Sequence, residues 1–118
     1  MIILAEDDPD QRLALRLALQ KEGYAVREAA NGAEALRLIG QKPPTALITD
    51  IFMPDMDGLE LITRVRDEFP DVKIIVVSGG GQRTSGDYFA STRVLGAHAT
   101  IQKPFEFKQL VGILRALA

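Results

Sequence analysis

The sequence predicts one α/β domain over residues 1–118: a doubly wound, five-stranded parallel sheet with helices on both faces. Three observations lead there. Short apolar runs such as "IILA" and "KIIVV" carry no polar alternation, which marks strands buried on both faces. Each strand-like run is followed by a segment with apolar residues at helical spacing. The chain has 118 residues, 47% hydrophobic and 25% charged, enough for a core without metal or disulfide support.

The elements follow in order. Ile2–Ala5 is the first strand and ends on acids. Asp8 is placed to cap the first helix, Pro9 suits its first turn, and Gly23 is a natural stop. Tyr24–Ala29 alternates, as expected of a second strand near a sheet edge. Asn31-Gly32 makes a turn. Ala33–Ile39 is the second helix, ended by Gly40 and Pro43-Pro44. Ala46–Asp50 is the third strand, and Gly58–Phe69 carries Leu59, Ile62, Val65 and Phe69 at helical spacing. Lys73–Val77 is the fourth strand, closed by Ser78 and followed by the Gly-rich "SGGGQRTSGD", a loop by composition. A fourth helix is predicted over Tyr88–Leu95, stopped by Gly96. Ala99–Ile101 is the fifth strand and Phe105–Leu117 the last amphipathic helix.

Composition narrows the function. There is no Cys, so disulfides and thiolate metal sites are excluded. The net charge of −2 and pI of about 5.4 lack the basic footprint of nucleic-acid binding. No apolar run approaches a membrane span, and the N-terminus lacks the basic-then-apolar order of a signal peptide. A cytoplasmic location is the expectation.

The chemistry gathers where strands end. Strand one ends in Glu6, Asp7 and Asp8, strand three in Asp50, strand four in Ser78, and strand five is followed by Lys103-Pro104. In open parallel sheets ligands bind outside the carboxyl ends of the strands, where strand order reverses. If strand one lies in the middle, with strands three, four and five beside it, these residues share one rim. Neighbouring carboxylates repel and need a cation among them. An all-oxygen site of this kind suits Mg²⁺, which takes one or two carboxylates and keeps water or phosphate oxygens. Lys103 supplies a positive charge for a phosphate oxygen and Ser78 a hydroxyl donor. A carboxylate in such surroundings can attack a phosphoryl group and become an aspartyl phosphate.

The segments "IILAEDDP", "LITDIFMPDMDG", "IIVVSG" and "GAHATIQKPF" resemble, in order and spacing, the receiver domain of two-component response regulators. The resemblance covers the whole chain and implies a flavodoxin-like (βα)5 sheet of strand order 2-1-3-4-5. It implies that Asp50 accepts phosphate from a histidine kinase or a phosphotransfer protein. Asp7 and Asp50 would bind Mg²⁺ directly, Glu6 through water, and the Phe52 backbone carbonyl would be a further ligand. Ser78 and Lys103 would contact the phosphoryl oxygens, and the Lys103-Pro104 bond corresponds to the family's cis peptide. The output protein would bind the face formed by the fourth helix, fifth strand and fifth helix. No output domain is read in this chain.

Two positions depart from the family pattern. Thr100 stands where members usually carry a switching aromatic, and the stretch from Ser78 to Lys103 is longer than common. Two other functions compete with this one. An aspartate-nucleophile phosphohydrolase needs an acid two residues after the nucleophile, where this chain has Phe52, which transfers no proton. A degenerate receiver, binding partners without phosphate, would not need the set Glu6, Asp7, Asp50, Ser78 and Lys103. The remaining features have plain readings. Asp55 and Asp57 belong to a turn, with Asp57 a helix cap, and His98 is structural.

Overall fold

The computed structural model describes residues 1–53, 56, 58–78, 93 and 95–117, and Ser78 by its backbone alone. In chain order the elements are β1 (Ile2–Ala5), α1 (Pro9–Lys21), β2 (Val26–Ala29), α2 (Gly32–Gln41), β3 (Ala46–Thr49), α3 (Gly58–Glu68), β4 (Lys73–Ser78), β5 (Ala99–Gln102) and a C-terminal helix (Phe107–Leu117). The strands form one sheet of order β2-β1-β3-β4-β5, and every pair is parallel. Of the predicted Tyr88–Leu95 helix, Arg93 and Leu95 are helical and the rest lies outside the described residues.

Side-chain alternation explains the double winding. Successive residues of a strand point to opposite faces. Ile3, Ala5, Leu47, Ile74 and Val76 face one core with Leu38 and Ile39 of α2 and Leu61, Ile62 and Val65 of α3. Ile2, Leu4, Ile48, Ile75 and Val77 face the other, with Leu19 of α1 and Leu110 and Leu114 of the C-terminal helix. Both faces are apolar because both are covered. Each fully buried Ile or Leu contributes roughly 1.5–3 kcal/mol relative to exposure.

Helix ends follow the chemistry of their residues. Asp8, at φ −76° and ψ 115°, accepts from the N–H groups of Asp10 and Gln11 and caps α1. At the other end Tyr24 N–H donates to the Leu19 carbonyl and Gly23 N–H to that of Gln20, with Gly23 at φ +95°. This pair of bonds is a Schellman closure. It explains why the second strand begins at Val26 and not at Tyr24: the Tyr24 amide is committed to ending α1.

Other boundaries differ for local reasons. Helix α2 starts at Gly32, capped by the Asn31 side chain, and runs through Gly40 to Gln41. Lys42 then turns extended (φ −153°, ψ 103°), as a residue before proline must, so Pro43 and not Gly40 is the stop. β3 ends at Thr49, one residue before the predicted Asp50, while β4 takes in Ser78 and β5 Gln102. The last helix begins at Phe107, two residues after the expected start, and both Phe105 and Phe107 pack against the core that holds Ile101 and Leu110. Among the described residues, no helix is long and apolar enough to cross a membrane.

Candidate functional site

Three strand ends supply the candidate site. Glu6 follows β1, Asp50 follows β3, and Lys103 follows β5. The two acids lie on neighbouring strands, and each continues its ladder for one more bond. Glu6 N–H donates to the Ala29 carbonyl at 3.0 Å, and Asp50 N–H donates to the Ala5 carbonyl at 3.2 Å. Further bonds hold their carbonyls: Arg12 Nη1 donates to Glu6 O at 2.7 Å, and Thr49 Oγ1 to Asp50 O at 2.8 Å. Backbone pairing therefore sets both Cα positions before the side chains act.

The Lys103 ammonium joins these ends. Its Nζ donates to Glu6 Oε1 at 2.7 Å, to Gln11 Oε1 at 2.7 Å and to Asp50 Oδ2 at 3.0 Å. An ammonium has three donors, and all three are engaged. Glu6 is buried, while the side chains of Asp50 and Lys103 keep 13% and 19% of their surface exposed. Asp50 thus remains open to a reactant while one of its oxygens is held by the ammonium it shares with Glu6.

Burial pushes the Glu6 carboxyl above its ordinary range, and the Lys103 hydrogen bond and charge pull against it. The Asp50 charge and the Asp7 side chain add smaller upward pushes. Burial alone would lower the Lys103 ammonium. Its hydrogen bonds to Glu6 and Asp50, with the charges of both, outweigh burial and raise it. Two carboxylates and one ammonium leave the cluster one charge short of neutrality, the condition that favours a further cation.

The other predicted residues stand as follows. Asp7 is exposed at the same strand end. Asp50 Oδ1 accepts from Phe52 N–H at 3.2 Å, and the Phe52 side chain is 41% exposed. The strand register sets Ser78 opposite Gln102, at the same end of the sheet, but its hydroxyl lies outside the described residues. Asp55 and Asp57 also lie outside them. Lys103-Pro104 is cis. His98 Nδ1 accepts from Ile74 N–H at 3.0 Å, a link between the starts of β4 and β5 at the opposite end of the strands from Asp50. Thr100 Oγ1 accepts from Arg93 Nη2 at 3.2 Å.

Among the described residues no group of three or more acidic or imidazole side chains stands close enough together to hold a metal ion unaided. The donor set still fits Mg²⁺, which needs only one or two carboxylates and completes its shell with water and backbone oxygens. Asp50 Oδ1 has one long hydrogen bond and spare acceptor capacity on the oxygen that Lys103 does not take.

Two contributors escaped the sequence reading. Gln11 was hidden because one neutral polar residue on an exposed helix turn carries no signal. Its only clue is the spacing Asp8-x-x-Gln11, that of an N-terminal capping pair. In the sequence Gly58 marks only the start of a helix. A Cβ there would lie 2.5 Å from Asp50 O and 2.6 Å from Ile51 Cα, so the glycine lets α3 begin directly against the backbone of Asp50.

Residues 2–115 match the family described as the response regulator receiver domain. The chain is 40% identical over 113 residues to the response regulator receiver protein CpdR of Brucella abortus, covering 93% of this chain and 89% of CpdR. It is 35% identical over 116 residues to the response regulator MprA of a Mycobacterium species, covering 98% of this chain but spanning only 49% of MprA. Among solved structures, the response regulator TrrA of Thermotoga maritima in complex with Mg²⁺ and BeF superposes with a TM-score of 0.85 at 31% identity, covering 99% of this chain and 97% of TrrA. Sheet order, rim chemistry and sequence agree: the chain belongs to the response regulator receiver family, whose domains are phosphorylation-based signalling modules.

Proposed function

We propose that Asp50 is the phospho-acceptor of this receiver and that a histidine kinase or a phosphotransfer protein supplies the phosphoryl group. The observation that carries this reading is the Lys103 ammonium 3.0 Å from Asp50 Oδ2, anchored at the same time on Glu6. A carboxylate oxygen of Asp50 forms the new O–P bond as the N–P bond of the phosphohistidine breaks, and the leaving imidazole takes up a proton. Lys103 turns its donors from carboxylate oxygen to phosphoryl oxygen and offsets the added charge. The Ser78 hydroxyl is assigned a further donor role.

Asp7, Asp50 and the Phe52 carbonyl would hold Mg²⁺, with Glu6 acting through water. The ion would supply neutralisation of charge on the transferred group. Phe52 has no proton to give, so turnover of an external substrate is not part of this function. Phosphorylation shifts a two-state equilibrium that alters a protein-binding face. We assign that face to the segment around Arg93, β5 and the C-terminal helix, where Arg93 bonds Thr100. Residues 1–118 act as one receiver domain.

The test is a mass measurement after incubation with Mg²⁺ and acetyl phosphate. One phosphoryl group should appear on the wild-type chain and none on Asp50→Asn. An unchanged wild-type mass at saturating donor, or labelling that survives Asp50→Asn, overturns the assignment.

A further inference from the structure

Lys103 spends its third hydrogen bond on a neutral residue that no part of the acceptor chemistry requires. Gln11 Oε1 accepts from Nζ at 2.7 Å, as short as the bond to the buried carboxylate of Glu6. The far end of the same amide is also held: Gln11 Nε2 donates to Asp8 Oδ2 at 3.1 Å. Only one orientation of the carboxamide satisfies both neighbours. Turned over, it would set its NH₂ against an ammonium and its oxygen against a carboxylate. Asp8 is in turn fixed by its cap bonds, with Oδ1 accepting from Asp10 N–H at 2.9 Å and Gln11 N–H at 3.3 Å. A chain of contacts therefore runs from the first turn of α1 through Asp8 and Gln11 to the cation over Asp50.

We propose that Gln11 is a positioning residue of the Asp50 site: its carboxamide, oriented by Asp8, holds the Lys103 ammonium where it can serve the phosphoryl group. The inference rests on Asp50 being the acceptor and deepens that reading. A lysine side chain has four flexible bonds and considerable rotamer entropy to lose. Glu6 and Asp50 both draw the ammonium inward, and each is a carboxylate that the phosphorylation state affects. Gln11 is neutral and draws from outside, so its hold persists while Asp50 changes charge. It also stands on an open groove of about 580 Å³ lined by Gln11, Ala14, Leu15, Lys103, Pro104 and Phe105. Replacing it disturbs no buried packing, because Gln11 is exposed.

Two substitutions separate positioning from helix stability. Gln11→Met keeps the length of the side chain and removes the acceptor. Asp8→Asn keeps a good N-cap for α1, but its own NH₂ now faces the Gln11 amide. That calls the Gln11 oxygen toward residue 8 and turns the Gln11 NH₂ toward Lys103. Asp8→Asn also removes a charge that Lys103 feels, so Gln11→Met, which changes no charge, carries the decision. The readouts are the ¹H–¹⁵N signal of the Lys103 ammonium without Mg²⁺, and the rate at which acetyl phosphate with Mg²⁺ labels Asp50.

Both variants should unfold at the wild-type urea midpoint, shift or broaden the Lys103 signal, and slow labelling by about tenfold, the lower end for one hydrogen bond to a charged group. Wild-type signal and wild-type labelling in Gln11→Met overturn the proposal, as does an Asp8→Asn chain that matches wild type in both. Failure of the acceptor reading looks different. The wild-type chain itself would then take no phosphate, while the ammonium signal would still report whether Gln11 holds Lys103.

Discussion

The Lys103 ammonium lies closer to Glu6, at 2.7 Å, than to Asp50, at 3.0 Å, although Glu6 is 97 positions away in sequence. Glu6 is the more buried of the two acids, so it depends more on the cation. One ammonium thus serves two carboxylates, and the consequences of removing each partner differ in sign. Lys103→Met leaves two poorly solvated negative charges side by side and should cost about 2–3 kcal/mol of unfolding free energy. Asp50→Asn removes the repulsion between the acids and leaves Glu6 its partner. In the Lys103→Met background it should restore about 1 kcal/mol of that loss. Urea denaturation of the two single variants and the double variant measures the coupling. Simple additivity would show that the three groups do not act as one cluster.

Gly58 leads to a second outcome. The Cβ of Gly58→Ala would meet backbone atoms of Asp50 and Ile51 at 2.5 and 2.6 Å, and backbone cannot rotate aside. Either α3 or the Asp50 segment must move. The expected cost is about 1–3 kcal/mol, the range for overpacking a close contact. Because the displaced atoms belong to Asp50, labelling by acetyl phosphate should fall in the fraction that remains folded. Gly40→Ala is the control, since a Cβ at Gly40 meets nothing within 4 Å. It lies within α2 and should be neutral or slightly stabilising.

These two cases show what the sequence could reveal. Both cores were legible because buried parallel strands write themselves as unbroken apolar runs, and "IILA", "ALIT" and "KIIVV" have few other uses, whereas the strand order rests on the resemblance of the motifs to the receiver family. Glu6, Asp50 and Lys103 were legible because charges at strand ends are out of place unless they meet. Gln11 and Gly58 were not. A glutamine on an exposed turn is unremarkable until its two ends are seen between an ammonium and a carboxylate. The need for glycine at position 58 depends on how near two backbones pass, which no local pattern encodes. The start of β2 was misplaced for a similar reason: alternation from Tyr24 to Ala29 shows side-chain direction, but not that the Tyr24 amide is bonded to Leu19.

Phe52 offers a third test. Its amide donates to Asp50 Oδ1, while its side chain stands 41% exposed at the site. We expect the aromatic ring to keep water from the acyl phosphate once it forms. Phe52→Asn preserves the backbone N–H and replaces the ring with a group that can orient water. The phosphoryl lifetime, followed by loss of label after donor removal, should shorten about three- to tenfold, on the order of one hydrogen bond. An unchanged lifetime would leave the ring without a protective role.

His98 sets a pH dependence away from the site. Its Nδ1 accepts from Ile74 N–H at 3.0 Å, while its own N–H donates to Ile74 O at 2.8 Å, so the residue clasps the start of β4 with both backbone and ring. Burial, and then the charge of Lys73, lower the imidazole below its ordinary value of 6.5. A protonated ring would have no lone pair for Ile74. Between the lowered value and 6.5 the unfolded chain binds more protons than the folded one, so stability rises with pH through that window and falls as pH drops below about 6.5. His98→Asn places a carbonyl oxygen near the position of Nδ1 and does not titrate. Urea midpoints measured from pH 7.5 to 5 should fall more steeply for the wild type than for His98→Asn. Parallel curves would mean that the clasp does not respond to protons.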